Sequence, residues 1–78
     1  MKLRCEQVTE GPGPREVIVE IKATSGTEEV IVDQSFVRDS LLDVWQIGKR
    51  GGDVLVELPR ETSAGRWRIW VPQATIAA

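Results

Sequence analysis

The stretch from Asp53 to Pro72, DVLVELPRETSAGRWRIWVP, is the part of the sequence that most constrains the fold. Apolar residues occupy every second position in Val54–Leu58 and again in Trp67–Val71. That period is typical of strands with one buried face. The small, turn-compatible residues of Thr62–Gly65 separate the two runs. The stretch therefore predicts a β-hairpin.

The register of this hairpin follows from its apolar pattern. A connecting loop with an even number of residues pairs Leu58 with Ile69 and Val56 with Val71, which collects the aliphatic side chains on one face. A slip of one residue would mix apolar and polar side chains on both faces, so we expect the even register. Trp70 then lies on the outer face of the hairpin.

An earlier pair of strands is predicted at Arg15–Ala23 and Glu28–Asp33, which also alternate and are joined by the turn residues TSGT. The same argument on register pairs Ile21 with Val30. Each half of the chain thus contributes a hairpin with one apolar face.

The segment Gln34–Gly48 permits two interpretations. A helix would gather on one face Val37, Leu41, Val44 and Trp45. Asp33 or Ser35 could cap the start of such a helix. We favour a short helical turn over Ser35–Ser40, followed by a strand over about Leu42–Ile47.

The remaining segments are shorter. Lys2–Val8 alternates and predicts a first strand, with Leu3 and Cys5 on its apolar side. Gly48–Gly52 is glycine-rich and predicts a hairpin loop. The residues after Pro72 form a tail, which offers at most a short strand or turn.

These elements predict an all-β chain, or a mainly β chain with one short helical turn. We expect five or six short strands in a meander that closes into a small SH3-like barrel. The alternative is an open antiparallel sheet that dimerises through one face. The short linkers indicate a single domain over residues 1–78, compact over Met1–Pro72 and followed by the tail Gln73–Ala78. The predicted core consists of Leu3, Cys5, Val17, Val19, Ile21, Val30, Val32, Val54, Val56, Leu58, Trp67, Ile69 and Val71.

Composition excludes several chemistries. The chain has 78 residues, one cysteine and no histidine. Cys5 cannot form an internal disulfide, and histidine-based catalytic relays and metal sites are excluded. Glu28 and Glu29 would point to opposite faces of a strand, and the glycine-rich loop lacks the spacing of a phosphate-binding loop. We therefore expect no enzymatic activity, cofactor or metal. A core this small favours a homo-oligomer.

The first residues bear on location. Met1–Arg4 leads directly into an alternating pattern, without the apolar run of a signal peptide or a membrane span. We therefore expect a cytoplasmic protein with no membrane association. The formal net charge of −2 lacks the basic excess typical of nucleic-acid-binding domains, which favours a protein as the partner.

Outward apolar positions point to a binding surface. Trp70 lies on the outer face near Leu55 and Arg68, while Ile18 and Ile31 are the outward apolar residues of the other hairpin. Tryptophan and arginine are enriched at interface anchors, and several outward apolar positions together indicate a covered surface. We therefore expect a non-catalytic interaction or assembly module that self-associates around Trp70, or that binds another protein there.

A nucleic-acid platform is the alternative. Arg66, Arg68 and Trp70 would form a cationic strand with an aromatic base-stacking residue. Lys49 and Arg50 would extend the positive charge at a hairpin tip and contact an anion. This interpretation predicts a small barrel that binds single-stranded nucleic acid.

Overall fold

Strands account for most of the chain in the computed structural model, which describes residues 1–77. Two short 3-10 turns, Gln34–Phe36 and Gln73–Thr75, lie between strands. The all-β prediction is confirmed, although the strands are more numerous and shorter than expected. They are β1 (Lys2–Arg4), β2 (Gln7–Glu10), β3 (Glu16–Ala23), β4 (Gly26–Asp33), β5 (Val37–Arg38), β6 (Leu41–Asp43), β7 (Trp45–Arg50), β8 (Asp53–Glu57), β9 (Arg68–Pro72) and β10 (Ile76–Ala77).

The strands pair into three antiparallel sheets. The first sheet has the order β10-β1-β6-β5, the second β2-β3-β4 and the third β7-β8-β9. The second and third sheets are meanders, whereas the first brings both ends of the chain beside its middle. The strand pairing within residues 1–77 leaves each sheet unclosed.

The predicted strand over Lys2–Val8 is wrong in extent, because the chain changes sheets within it. β1 pairs with β6 and β10, whereas β2 pairs with β3. The backbone amides at the crossing remain satisfied, since Cys5 N donates to Ser40 O at 2.9 Å and Glu6 N donates to Glu20 O at 2.8 Å. Leu3 is fully buried on β1, as the alternation predicted.

The middle segment combines a short helical turn with strands. The turn is a 3-10 turn over Gln34–Phe36 rather than Ser35–Ser40. Asp33 caps it, since its carboxylate accepts a hydrogen bond from Ser35 N at 2.9 Å, and hydrogen bonds from the side chain and the backbone of Ser35 hold the pKa of the carboxyl below its usual value. Asp39 and Ser40 then adopt φ values of 54° and 60°, the left-handed geometry of a tight hairpin turn, and join β5 to β6.

The register of the first hairpin differs from the prediction by two residues. Val19 lies opposite Val30, and Ile21 lies opposite Glu28. The reason is the turn, which is only two residues long and ends at Gly26 with a φ of 137°. Because the shift is even, the apolar residues keep to the predicted face.

The second hairpin is shifted in the same way. Val56 lies opposite Ile69, so the predicted pairing of Leu58 with Ile69 is wrong. The connecting segment is longer than a simple turn because it folds around the buried Thr62, whose hydroxyl accepts hydrogen bonds from the backbone of Ala64 and Arg66. Thr62 also bridges to Val30 of β4, which anchors the loop on the second sheet.

All three sheets share one apolar core. Most of the predicted core residues are buried, and Cys5 and Val17 pack against the core while remaining partly exposed. The assignment of Trp67 to the core is wrong, since 52% of the residue is exposed. β9 begins at Arg68, so Trp67 lies in a bend where strand alternation does not hold. The buried apolar residues are Leu3, Val19, Ile21, Ala23, Val30, Val32, Leu42, Val44, Val54, Val56, Leu58, Ile69 and Val71.

Candidate functional site

The outer face of the third sheet brings together three of the predicted binding residues. Leu55 lies in the central strand, opposite Gly48 on one side and Trp70 on the other. Arg68 lies two residues from Trp70 along β9 and therefore shares its face. We call the outer patch the surface made by Trp45, Arg50, Leu55, Arg68 and Trp70.

The indole ring of Trp70 is held against the sheet. A Cβ atom added to Gly48 would lie 3.9 Å from the ring atom Cη2 of Trp70, and 3.3 Å from Leu55 Cβ. The ring therefore extends from β9 over the central strand to β7, and the glycine provides the space. The guanidinium of Arg50 lies 4.3 Å from the ring centroid, a cation–π contact that stabilises by about 0.5–1 kcal/mol at an exposed site.

A charged pair borders the ring. Arg68 Nε donates to Glu57 Oε1 at 3.2 Å, and the two residues lie directly opposite each other on β9 and β8. Glu57 also lies opposite Trp45 of β7. The outer face thus carries a row of aromatic, acidic and basic side chains across three strands.

The strand β7 contains a bulge. Gln46 lies opposite Val56 and Gly48 lies opposite Leu55, so Ile47 is an extra residue in β7. The β7–β8 turn consists of Gly51 and Gly52, which makes the predicted five-residue loop wrong.

Lys49 and Arg50 consequently belong to β7 rather than to a hairpin tip. Lys49 lies opposite the inward-facing Val54, whereas Arg50 lies opposite Asp53 on the outer face. The two cations therefore point to opposite sides of the sheet and do not form one anion site.

Trp45 and Ile47 are exposed on β7, with 51% and 41% of their respective surfaces accessible. Neither was among the predicted binding residues, because the secondary structure of this segment could not be decided from sequence. The sequence WQIGKR does carry a signal for them, because an aromatic and a β-branched residue exposed on an edge strand are typical of an edge that another strand can join.

Arg66 makes its contact on another sheet. Its guanidinium donates to Glu28 Oε2 at 2.8 Å, and Glu28 is only 7% exposed. The pair lines a surface pocket of about 180 Å³, which Trp70 and Arg68 also border. This ion pair with a buried carboxylate ties Arg66, which precedes β9, to β4 of the second sheet.

Ile18 and Ile31 lie directly opposite each other on the second sheet. Both are partly buried. Since Trp70, Leu55 and Arg68 belong to the third sheet, the structure does not gather all five predicted binding residues on one sheet.

Reactive chemistry is limited in the described part of the chain. Burial raises the pKa of the Cys5 thiol to about 11, which keeps the sulfur protonated near neutral pH. Among residues 1–77, no cluster of three or more histidine, cysteine or acidic side chains could hold a metal ion. The same residues contain no helix long and apolar enough to cross a membrane.

Comparison with family models, curated proteins and solved structures finds no match to this chain.

Proposed function

We propose that the protein is a non-catalytic assembly module that self-associates through the outer patch. The observation that carries the proposal is the outer face of the third sheet, where Trp70 and Leu55 form an apolar centre. Trp45 is half-exposed on the neighbouring edge strand, and Arg50 and Arg68 flank the centre. Aromatic and arginine side chains around an apolar centre are typical of interface anchors.

The size of the domain supports the same conclusion. A chain of 78 residues buries a smaller fraction of its surface than a larger domain, and it has no internal disulfide to compensate. Covering the outer patch with a second copy would bury further apolar area, at about 25 cal/mol per Å² removed from water.

We also propose that the three sheets form an SH3-like barrel around the common core. Backbone contacts between the second sheet and the β8–β9 hairpin support this arrangement, since Thr24 N donates to Trp70 O and Thr62 bridges to Val30. β1 continues into the second sheet, and β6 continues through Val44 into the third. In such a barrel the outer patch lies on the external wall, where a partner can reach it.

Binding of single-stranded nucleic acid is the weaker alternative. The cations that would serve it already have partners within the chain, because Arg66 contacts Glu28 and Arg68 contacts Glu57. Trp70 is held under a guanidinium, so base stacking on its ring would require displacing Arg50.

Solution mass tests the proposal. Light scattering at two protein concentrations should give a dimer or larger species for the wild type, and the monomer mass of 8.7 kDa for Trp70→Glu. The added carboxylate places an unpaired charge in the interface, which opposes association. Far-UV circular dichroism should remain that of the folded wild type.

Trp67→Glu is the matched control. It makes the same chemical change at an exposed tryptophan outside the outer patch, and it should leave the mass unchanged. A monomeric wild type at both concentrations would refute self-association. A folded Trp70→Glu variant that retains the wild-type mass would remove the outer patch from the interface.

A further inference from the structure

β7 is a six-residue strand at the edge of the third sheet, paired only with β8 among the described strands. Trp45 and Ile47 are two of the exposed large hydrophobic residues of the chain. An open cleft of about 330 Å³ borders the inner side of β7, lined by Gln46 and Lys49, by Val54 of β8 and by residues around β10. Within residues 1–77, no strand pairs with this edge of β7, which leaves the edge accessible to another strand.

The bulge in β7 decides which side chains share a face. Trp45 lies opposite Glu57 and Arg50 lies opposite Asp53, so both project on the outer face. In a regular strand, residues five apart would point to opposite faces. The extra residue Ile47 therefore places an aromatic and a cationic side chain on one face, at the two ends of one strand.

From this arrangement we infer that β7 pairs antiparallel with β7 of a second copy, around a two-fold axis at the bulge. The inference rests on the proposed self-association and assigns part of the contact to the edge of the outer patch, where Trp45 and Arg50 lie. Trp45 would lie opposite Arg50 of the partner subunit, and Gln46 opposite Lys49 of the partner subunit. Two such pairs of each kind form, because the contacts of a two-fold interface are reciprocal. The two three-stranded sheets become one six-stranded sheet.

Matching of faces selects this register. Outer residues must lie opposite outer residues, and inner opposite inner. Centring the pair on Ile47 would set the outward Trp45 against the inward Lys49 of the partner subunit. Centring it on Lys49 would place two like charges in direct opposition, which is destabilising.

The charges across the junction are complementary. On the outer face, the row that contains Asp53 and Arg50 continues into Trp45, Glu57 and Arg68 of the partner subunit. Acidic and basic side chains alternate along this row, with the tryptophan between Arg50 and the partner's glutamate. Arg50 already contacts one indole ring within its own chain, at 4.3 Å, so a second indole would extend an existing cation–π arrangement. This self-complementarity identifies a second copy, rather than a foreign strand, as the occupant.

Paired tryptophan variants provide the first test. Trp45 and Trp67 have nearly equal exposure, 51% and 52%, but only Trp45 belongs to β7. In light scattering, Trp45→Ala should halve the dimer mass to 8.7 kDa at the lower concentration, while Trp67→Ala should retain the dimer. Equal behaviour of the two variants would overturn the inference.

Disulfide trapping tests the register directly. Gln46→Cys and Lys49→Cys are prepared separately in a Cys5→Ala background, and one of the two carries an affinity tag. After mixing and mild oxidation, the mixed disulfide should dominate over both self-disulfides, because residues 46 and 49 lie opposite each other across the axis. This readout remains available if Trp45→Ala fails to fold.

The outcomes separate the two proposals. A monomeric wild type refutes self-association, and the pairing of β7 with it. A wild-type dimer that survives Trp45→Ala, gives no excess of mixed disulfide and is lost in Trp70→Glu refutes β7 pairing and leaves self-association through the part of the outer patch around Trp70 standing. A dimer that is lost in Trp45→Ala alone, together with the predominant mixed disulfide, supports the pairing.

Discussion

Leu42 tests how the middle of the chain folds. It is fully buried on β6, opposite Leu3 of β1 and Val37 of β5. Its neighbour Leu41 lies on the same strand, partly exposed on the other face. The helical interpretation of this segment would instead bury Leu41 and leave Leu42 outside the shared face. Truncating each leucine therefore distinguishes the two structures.

The expected cost of Leu42→Ala follows from burial. The substitution removes three carbon atoms from the core. Each of them contributes about 0.8 kcal/mol to the stability through its burial. The cavity adds to this loss, since Leu3 and its other neighbours relax only partly, and the total is about 3 kcal/mol. A domain of this length has about 4–12 kcal/mol of stability. The variant should thus lose a quarter or more of the free energy of unfolding.

Urea denaturation followed by circular dichroism measures this difference. The unfolding midpoint should fall by about 2 M for Leu42→Ala, with an unchanged m-value. Leu41→Ala is the matched control and should cost less than about 1.5 kcal/mol, because its side chain is already partly hydrated. A larger loss for Leu41→Ala than for Leu42→Ala would refute the strand assignment and restore the helix.

Other substitutions address single contacts. Gly48→Val should destabilise the fold by about 1–3 kcal/mol, because its methyl groups enter space that starts 3.3 Å from a neighbouring Cβ. Gly52→Ala, in open surroundings, should leave the melting temperature nearly unchanged, and equal melting temperatures for the two variants would contradict this reasoning. Arg66→Ala should lower the free energy of unfolding, measured by urea denaturation, by about 1–3 kcal/mol, because the buried Glu28 loses its partner. Arg66→Lys should recover part of that loss. Alkylation of Cys5 should accelerate with a midpoint near pH 11, since burial raises the pKa of the thiol to about 11. The free energy of unfolding should decline as pH rises toward that value, because the thiol of the unfolded chain releases its proton at a lower pH than that of the folded chain. An alkylation midpoint in the ordinary range of cysteine would contradict this prediction.

The faces of the hairpins could be predicted from sequence, but their registers could not. Alternation assigns Val19, Val30, Val56 and Ile69 to the interior whichever even shift is chosen. The absolute pairing depends on the turn, and the second hairpin's turn is set by Thr62, which reaches the other sheet. That contact joins residues far apart in the sequence, so the loop residues alone could not predict it.

Alternation also overextended β9 toward its start. It placed Trp67 beside Ile69 in the core, yet β9 begins one residue later and Leu58 occupies the buried position at this end of the hairpin. Leu58 N donates to Trp67 O at 2.8 Å, so the two backbones still meet there. A periodic pattern identifies a face, but the length over which the face remains buried depends on the whole core.

The middle segment failed for a different reason. A tight turn at Asp39 and Ser40 requires two non-glycine residues with positive φ, which a sequence seldom signals. Without that turn, the predicted strand over Leu42–Ile47 could not be divided into β6 and β7, and Trp45 could not be placed on an edge. The exposed residues of β7 were thus missed together with the turn that precedes them.

The treatment of strand edges connects the fold to the proposed assembly. The free side of β4 meets the long loop, since Ser63 N donates to Glu29 O, and the free side of β9 meets Thr24. Among residues 1–77, the free side of β7 has no strand partner, and the strand borders a cleft. A bulge commonly protects an edge from unwanted pairing. In β7 it also places Trp45 and Arg50 on one face, so that outer faces match and like charges stay apart in the register that pairs all six residues of the strand. We infer that the same bulge discourages pairing with other strands while leaving pairing with a second β7 in register, and the trapped pair at positions 46 and 49 is the measurement that decides it.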